Sequence, residues 1–321
     1  MKNKLFFSAF LLIIITCLYS CFEDEEPTTE MEWINFNEDY GLADNYVRSI
    51  AIDSENRKWF GTNAGISVLN TQSGIAEWSY FDTSDGIIND TIQVMTFDNN
   101  GDLWIGTPQG ISVYNGTNFT NYTEADSLVN NDVRSISIDD DDNIWIGTRN
   151  NSVSKYDGST FTNYIVKDET TGHIHTICCT SDGLVWIGSC STGLSSFDGT
   201  NWTHNINNIN DFVNTSYSAS DGALWIGTSR GLYKMSNDIW SHFNMTSSSI
   251  PSNGISGISE DYENKIWIGT NLGVSKHEDT YWESYAEIDG LVSNIIITMV
   301  SDNDGKIWVG TDKGASTYDE F

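Results

Sequence analysis

The sequence predicts an all-β chain, a seven-bladed β-propeller of four-stranded blades closed by the N-terminal strand joining the last blade. Three observations predict it. A Trp-x-Gly-[Thr/Ser] element occurs seven times, beginning at Trp59, Trp104, Trp145, Trp186, Trp225, Trp267 and Trp308. The Trp spacings are 45, 41, 41, 39, 42 and 41 residues, the period of a propeller or a repeat array. Sustained helical periodicity is absent, and short turns containing Gly, Asn and Asp punctuate the chain instead.

Each copy reads as four strands, a to d. Strand a is apolar and alternating, as in Val47-Arg48-Ser49-Ile50-Ala51-Ile52. A polar turn such as Asn99-Asn100-Gly101-Asp102 leads to strand b, which carries the Trp. A Gly turn leads to strand c, as in Gly110-Ile111-Ser112-Val113-Tyr114. Asn115-Gly116 then leads to an outer strand d with paired aromatics, Phe119 and Tyr122. Strand-only repeats of this length are blades, in which a large ring fills the space between wedge-shaped sheets and the Gly admits a close neighbour.

The last repeat stops after its strand c and has no outer strand of its own. Near the N-terminus, Trp33-Ile34-Asn35-Phe36 matches the outer-strand pairs Trp240…Phe243 and Trp282…Tyr285. Residues near 32–37 are therefore expected to complete the last blade and remove the exposed edges of an open array.

The chain divides into a leader over 1–20, a tether over 21–31 and the propeller over 32–321. Lys2 and Lys4 precede an apolar run from Leu5 to Ile15, of signal-peptide length and too short to favour a membrane span. It ends in Leu18-Tyr19-Ser20-Cys21, which resembles a lipobox and makes Cys21 the expected lipid attachment site. The following Phe22-Glu23-Asp24-Glu25-Glu26-Pro27 reads as a solvated tether, and also resembles the surface-export signal of Bacteroidetes lipoproteins. Together these features predict an extracytoplasmic protein, lipid-anchored to the outer membrane on its surface or periplasmic side.

The repeats resemble those of the two-component regulator propeller family. That pattern joins an inner strand, a D-x-x-G-x-W-[IV]-G-T segment, a Gly turn and an outer W-x-x-Y strand running into a D-G-L loop, as in Asp289-Gly290-Leu291. The resemblance covers nearly everything from Trp33 to Phe321. It implies a propeller like the sensor regions of Bacteroidetes hybrid two-component systems, many of which respond to glycans. The sequence carries one propeller set and no kinase, so what the resemblance implies here is a stand-alone ligand-binding lipoprotein.

Net charge is −30, which repels nucleic acid and anionic lipid. The expected partners are a glycan or a protein, with the membrane engaged only through the N-terminal lipid. No nucleotide-binding Gly-rich signature, G-x-S-x-G elbow or H-E-x-x-H motif occurs, so no catalytic residue, metal or cofactor is predicted. The Asp-rich turns at Asp98–Asp102, Asp139–Asp142 and Asp302–Gly305 resemble calcium loops faintly but lack the bidentate Glu of an EF-hand, and read as turn chemistry. An enzyme is the second function class, since lyases of the virginiamycin B type are similar seven-bladed propellers with a His and a metal. A structural scaffold is the third.

Two groups of residues are candidates for chemistry. The fourth repeat holds His173, His175, Cys178, Cys179 and Cys190. A two-residue Asp182-Gly183 turn would set His175 opposite Cys190 and Cys178 opposite Ile187, with Cys178 and Cys190 about 10 Å apart, too far for a disulfide. The second group comes from one register of every inner strand: Arg48, Gln93, Arg134, His175, Asn214, Ser256 and Ile297. Loops joining strand d to the next strand a, and strand b to strand c, share one face; that set is expected to be long and varied, and so to carry specificity. Arg48 and Arg134 suit a carboxylate or sulfate, although Asp44, Asp126 and Asp132 also lie near them in sequence. Tyr40 and Tyr46 could stack on a sugar ring or cap the blade.

Overall fold

A computed structural model describes residues 32–166, 172–278 and 280–319. The predicted leader, the tether and Cys21 lie outside the described residues. Seven four-stranded antiparallel sheets form the ring, each in the order a-b-c-d from the axis outward. Blade 1 is Ser49–Ile52, Lys58–Thr62, Gly65–Asn70 and Glu77–Phe81, and blade 4 is Ile174–Cys179, Val185–Ser189, Gly193–Phe197 and Trp202–His204. Blade 7 takes Ile296–Ser301, Ile307–Thr311 and Ala315–Asp319 from the end of the chain. Its outer strand is Glu32–Phe36, paired antiparallel with Ala315–Asp319 in the register Trp33↔Tyr318. The predicted closure is therefore present.

The repeated residues explain the repeated geometry. Strand b is buried along its whole length in all seven blades. The Trp on it lies between sheets, as where Trp59 stacks on Phe81 and meets Phe97 and Tyr114 of blade 2 edge-on or tilted. In five blades the indole Nε1 donates to an Asp six residues earlier: Trp59 to Asp53, Trp104 to Asp98, Trp145 to Asp139, Trp267 to Asp261 and Trp308 to Asp302, at 2.7–3.0 Å. The other carboxylate oxygen closes the a–b turn. Asp302, for example, accepts the amides of Asp304 and Lys306, each at 3.0 Å. The Asp-rich turns thus use their carboxylates internally. Thr180 and Ala219 stand at this position in blades 4 and 5, and there the buried Nε1 atoms of Trp186 and Trp225 have no acceptor.

The Thr of the motif shapes the b–c turn. Thr62 Oγ1 donates to the Gly65 carbonyl at 2.9 Å and accepts the Ala64 amide at 3.0 Å, and Thr311 repeats both contacts with Gly314 and Lys313. The b–c connections are consequently tight, contrary to the expectation that they are long. The d–a crossings carry the length and variety of that face, and several contain a short 3-10 turn such as Glu38–Tyr40 or Glu287–Asp289.

Candidate functional site

The inner strands surround a channel of about 610 Å³. All seven residues of the predicted ring, Arg48, Gln93, Arg134, His175, Asn214, Ser256 and Ile297, line it. For five of the seven the backbone reason is a β-bulge. In blade 3 the a–b pairing passes from Val133↔Thr148 to Ser135↔Gly147 and leaves Arg134 unpaired. The same shift isolates His175, Asn214, Ser256 and Ile297. A bulge gives one extra residue and re-aims its side chain, here at the end where chain crosses between blades.

Several of these side chains are committed to neighbouring blades. Asn214 Nδ2 donates to the Ile255 carbonyl at 3.0 Å, and Ser256 Oγ donates to the Ile296 carbonyl at 2.6 Å. Gln93 Nε2 donates to Asp132 Oδ1 at 3.0 Å. Arg134 Nη2 donates to Asp132 Oδ2 at 2.9 Å, while its Nε stands 2.8 Å from Oδ1 but off the line of a good hydrogen bond. Asp132 therefore takes Arg134, as the neighbouring acids in sequence suggested. Arg48 does not pair with Asp44 directly. Its Nε donates to Asn63 Oδ1 at 2.7 Å, Asn63 reaches Asp44 at 3.3 Å, and the guanidinium lies 4.7 Å over the Tyr46 ring. Tyr40 is exposed on the adjoining crossing.

Sequence reasoning missed Arg149 and the role of Asp132. Arg149 sits on the b–c turn directly after Trp145-Ile146-Gly147-Thr148, with Nη1 3.7 Å from Asp132 Oδ2 and most of its side chain in solvent. Its place in the motif was the available signal. Burial pushes the Asp132 carboxyl up, but hydrogen bonds from Arg134 and Gln93 and the charges of Arg134 and Arg149 outweigh it and hold the group below the usual carboxylate range. His173 and His175 face each other edge-on with ring centroids 5.9 Å apart. The His175 ring is open to the channel, whose walls still desolvate it. That desolvation, then the charges of His173 and Arg134, lower its pKa. His173 is lowered by burial and by Arg134 and Arg149, with Asp132 opposing. Mouth and rim thus combine two imidazoles whose protonation is disfavoured with arginines that Asp132 only partly neutralises.

The predicted His175–Cys190 pairing is corrected. Thr180, not Ser181, pairs with Leu184 across the a–b turn, and the bulge at His175 shifts the register again. Cys178 therefore faces Trp186, and His173 is the residue beside Cys190. The contact is the His173 backbone amide donating to Cys190 Sγ at 3.2 Å, which is not a nucleophile–base pair. The three described cysteines are free. Burial pushes the Cys178 thiol up to about 12 and the Cys179 thiol to about 11. Both are packed side chains, with no activated thiolate at neutral pH.

A closed ring of seven four-stranded blades, with polar bulge residues around one channel mouth, defines the class of seven-bladed propellers. Within it, the two-component regulator propeller family matches residues 86–109, 127–150, 249–272 and 290–313, which fall in four of the seven repeats. The matched segments each run from a d–a crossing to a b–c turn. Among solved structures, the extracellular domain assigned to a hybrid two-component system of B. thetaiotaomicron aligns with a TM-score of 0.77 at 24% identity, over 90% of this chain and 41% of that one. Streptogramin B lyase aligns at 0.73 with 17% identity over 90% and 97% of the two chains, and virginiamycin B lyase from Staphylococcus aureus at 0.73 with 13% over 90% and 99%. At these identities the likeness establishes the fold alone. This chain spans less than half the length of the two-component ectodomain. No curated protein matches the sequence. No helix among the described residues is long and apolar enough to cross a membrane.

Proposed function

We propose that the chain is a ligand-recognition propeller of an extracytoplasmic sensing or uptake system, anchored to the outer membrane through lipid on Cys21, and that its d–a crossing face takes a glycan or a protein bearing acidic groups. One observation carries the reading. In a chain of net charge −30, four of its five arginines, Arg48, Arg134, Arg149 and Arg230, lie at this end of the ring, and only Arg57 lies at the other. The lysines are less sorted: Lys58, Lys155 and Lys276 lie against the Asp–Trp pairs of the a–b end, whereas Lys313 lies on a b–c turn at the arginine end, 2.9 Å from Glu287. Arg149 and Arg230 remain largely exposed beside Asp132 and Asp211, and guanidinium forks match carboxylate and sulfate geometry. Tyr40, Tyr46 and Phe212 are exposed on the same face, where they offer stacking surface.

The test is a glycan array containing uronic and sulfated sugars, together with protein pull-down, using the chain from residue 22 onward. Salt-sensitive binding to acidic glycans or to a protein is expected. Binding confined to neutral sugars would remove the acidic preference, and two empty screens would remove the reading. The anchor is tested separately by mass spectrometry of the N-terminal peptide, where an unmodified Cys21 or cleavage elsewhere refutes it.

A further inference from the structure

Blade 5 lacks a carboxylate that its own architecture is built to hold. In blades 3 and 6 one oxygen accepts the indole N–H and lies within ion-pair distance of a lysine. Asp139 Oδ2 accepts Trp145 Nε1 at 2.8 Å and lies 3.9 Å from Lys155 Nζ. Asp261 Oδ2 accepts Trp267 Nε1 at 2.7 Å and lies 3.8 Å from Lys276 Nζ. Each Lys sits directly across from its Trp on strand c, and blade 5 keeps that pairing as Trp225↔Lys234. The lysine is also still folded over the ring, 4.8 Å from its centroid. The acid, however, is replaced by Ala219. Trp225 is 1% exposed, and its Nε1 is a buried donor with no acceptor. A buried donor left without a partner is destabilising. Ala219, Trp225 and Lys234 together line a cavity of about 330 Å³ between blades 5 and 6.

We propose that this cavity binds the carboxylate of a small organic acid, one oxygen taking the place of the missing Asp side chain between Trp225 Nε1 and Lys234 Nζ. Blade 4 gives the contrast. Trp186 has lost its acceptor too, but Ser196 stands across from it and supplies no cation. The acids around the blade 5 cavity are already engaged: Glu260 accepts the Ser220 amide and hydroxyl at 2.8 and 2.7 Å, and Asp221 caps the Ala223 amide at 2.8 Å. Asp221 Oδ2 also lies 3.7 Å from Lys234 Nζ, but it is mostly in solvent and screened there. The site lies at the a–b end, opposite the arginine-bearing mouth, and is independent of it.

The probes are sodium acetate and sodium formate, added to protein labelled with ¹⁵N at its Trp indoles, with sodium chloride at matched ionic strength as control. Ala219→Asp supplies the carboxylate internally and so identifies the Trp225 indole resonance by shifting it. We expect acetate to move that same resonance saturably in the wild type and not in Ala219→Asp, and Ala219→Asp to raise the melting temperature. Lys234→Met should weaken the acetate response several-fold without unfolding the blade. A resonance that acetate moves no further than chloride does, or equally in wild type and Lys234→Met, overturns the proposal and assigns the cavity to water. If Ala219→Asp fails to fold, Trp225→Phe assigns the resonance by its disappearance, and the Lys234→Met comparison then decides.

Discussion

Val47 and Gly310 join the last blade to the first. A Cβ built on Gly310 would come within 2.7 Å of Val47 Cγ1, and the Val47 amide donates to the carbonyl of Thr311 at 2.9 Å. The same contact recurs at each blade boundary, as between Gly61 and Ile92 or Gly188 and Val213. The Gly of the repeat is therefore an interblade contact surface, and the ring is closed on its inner side as well as by the outer strand Glu32–Phe36.

Gly310→Ala should consequently destabilise the whole ring by about 1–3 kcal/mol, the usual cost of forcing an extra methyl into a packed core. Gly116, with nothing within 4 Å of its built Cβ, is the control for a Gly outside an interface, although its positive φ of 87° adds local strain of its own. Denaturant midpoints measure both. A Gly310→Ala variant as stable as the wild type would mean that the blades do not rely on this approach.

Removing residues 22–30 should leave the melt unchanged, whereas removing 22–40 should not. The longer deletion takes away Trp33, which is 5% exposed and meets Trp267, Tyr285 and Tyr318 at ring distances of 5.0–6.3 Å. Trp33→Ala is the finer version and should cost about 3–5 kcal/mol. A cooperative transition unaltered by the 22–40 deletion would show that the last blade is stable with three strands.

Asp302 works across a blade boundary as well as within its own blade. Besides the Trp308 indole and two turn amides, it lies 3.0 Å from Lys58 Nζ of blade 1, and the side chains of both residues are nearly inaccessible. Asp302→Ala leaves an ammonium buried without its counter-charge and should cost about 3–5 kcal/mol. Asp302→Asn keeps the shape and some acceptor capacity and should cost less. Equal losses in the two variants would argue that turn geometry, and not charge, is what Asp302 supplies.

These contacts show what the sequence makes legible. The Trp period gave the blade count because each Trp fills one interblade wedge, and Trp33-x-x-Phe36 gave the closure because only an outer strand has that aromatic pair. The bulge ring was found as a register of residues, but not as a bulge. An extra residue in one strand leaves the apolar alternation around it nearly intact. For the same reason the His175–Cys190 pairing failed, since counting across a turn accumulates every unseen shift. Arg149 was missed because it lies on strand b's turn, outside the inner-strand alignment. It is brought beside His173 by an antiparallel bridge between the two residues, and beside Arg134 by their shared contact with Asp132.

Once a ligand is in hand, Arg48→Ala and Arg149→Ala should each weaken an acidic one by about tenfold, the worth of a charged hydrogen bond of about 1.5 kcal/mol. Arg134→Ala should act partly through Asp132, which would lose its closest cation and add uncompensated negative charge to the mouth. Arg57→Ala, at the other end of the ring, is the control and should leave affinity unchanged. Titration calorimetry at two salt concentrations reads all four. Unchanged affinity in the Arg48/Arg149 double variant, with the fold intact, would place the site elsewhere.

The histidines make the mouth sensitive to acid in a direction that can be worked out. His173 and His175 are both held below the ordinary histidine pKa in the folded protein, by burial first and by neighbouring cations next. In the unfolded chain they titrate near 6.5, as free histidines do. As the pH falls through that value, the unfolded state takes up protons that the folded state still refuses. Stability is therefore lost on acidification, and the loss ends only below the folded pKa values. Carboxylates such as Asp132, depressed in the fold, add a loss of their own at lower pH. The two contributions separate by substitution. His175→Asn and His173→Asn should each flatten the fall in denaturant midpoint between pH 7 and 5 while leaving the steeper acid limb in place. Parallel curves for wild type and both variants would mean that the imidazoles titrate alike in the folded and unfolded chains, and that the cationic environment drawn around the channel mouth is too strong.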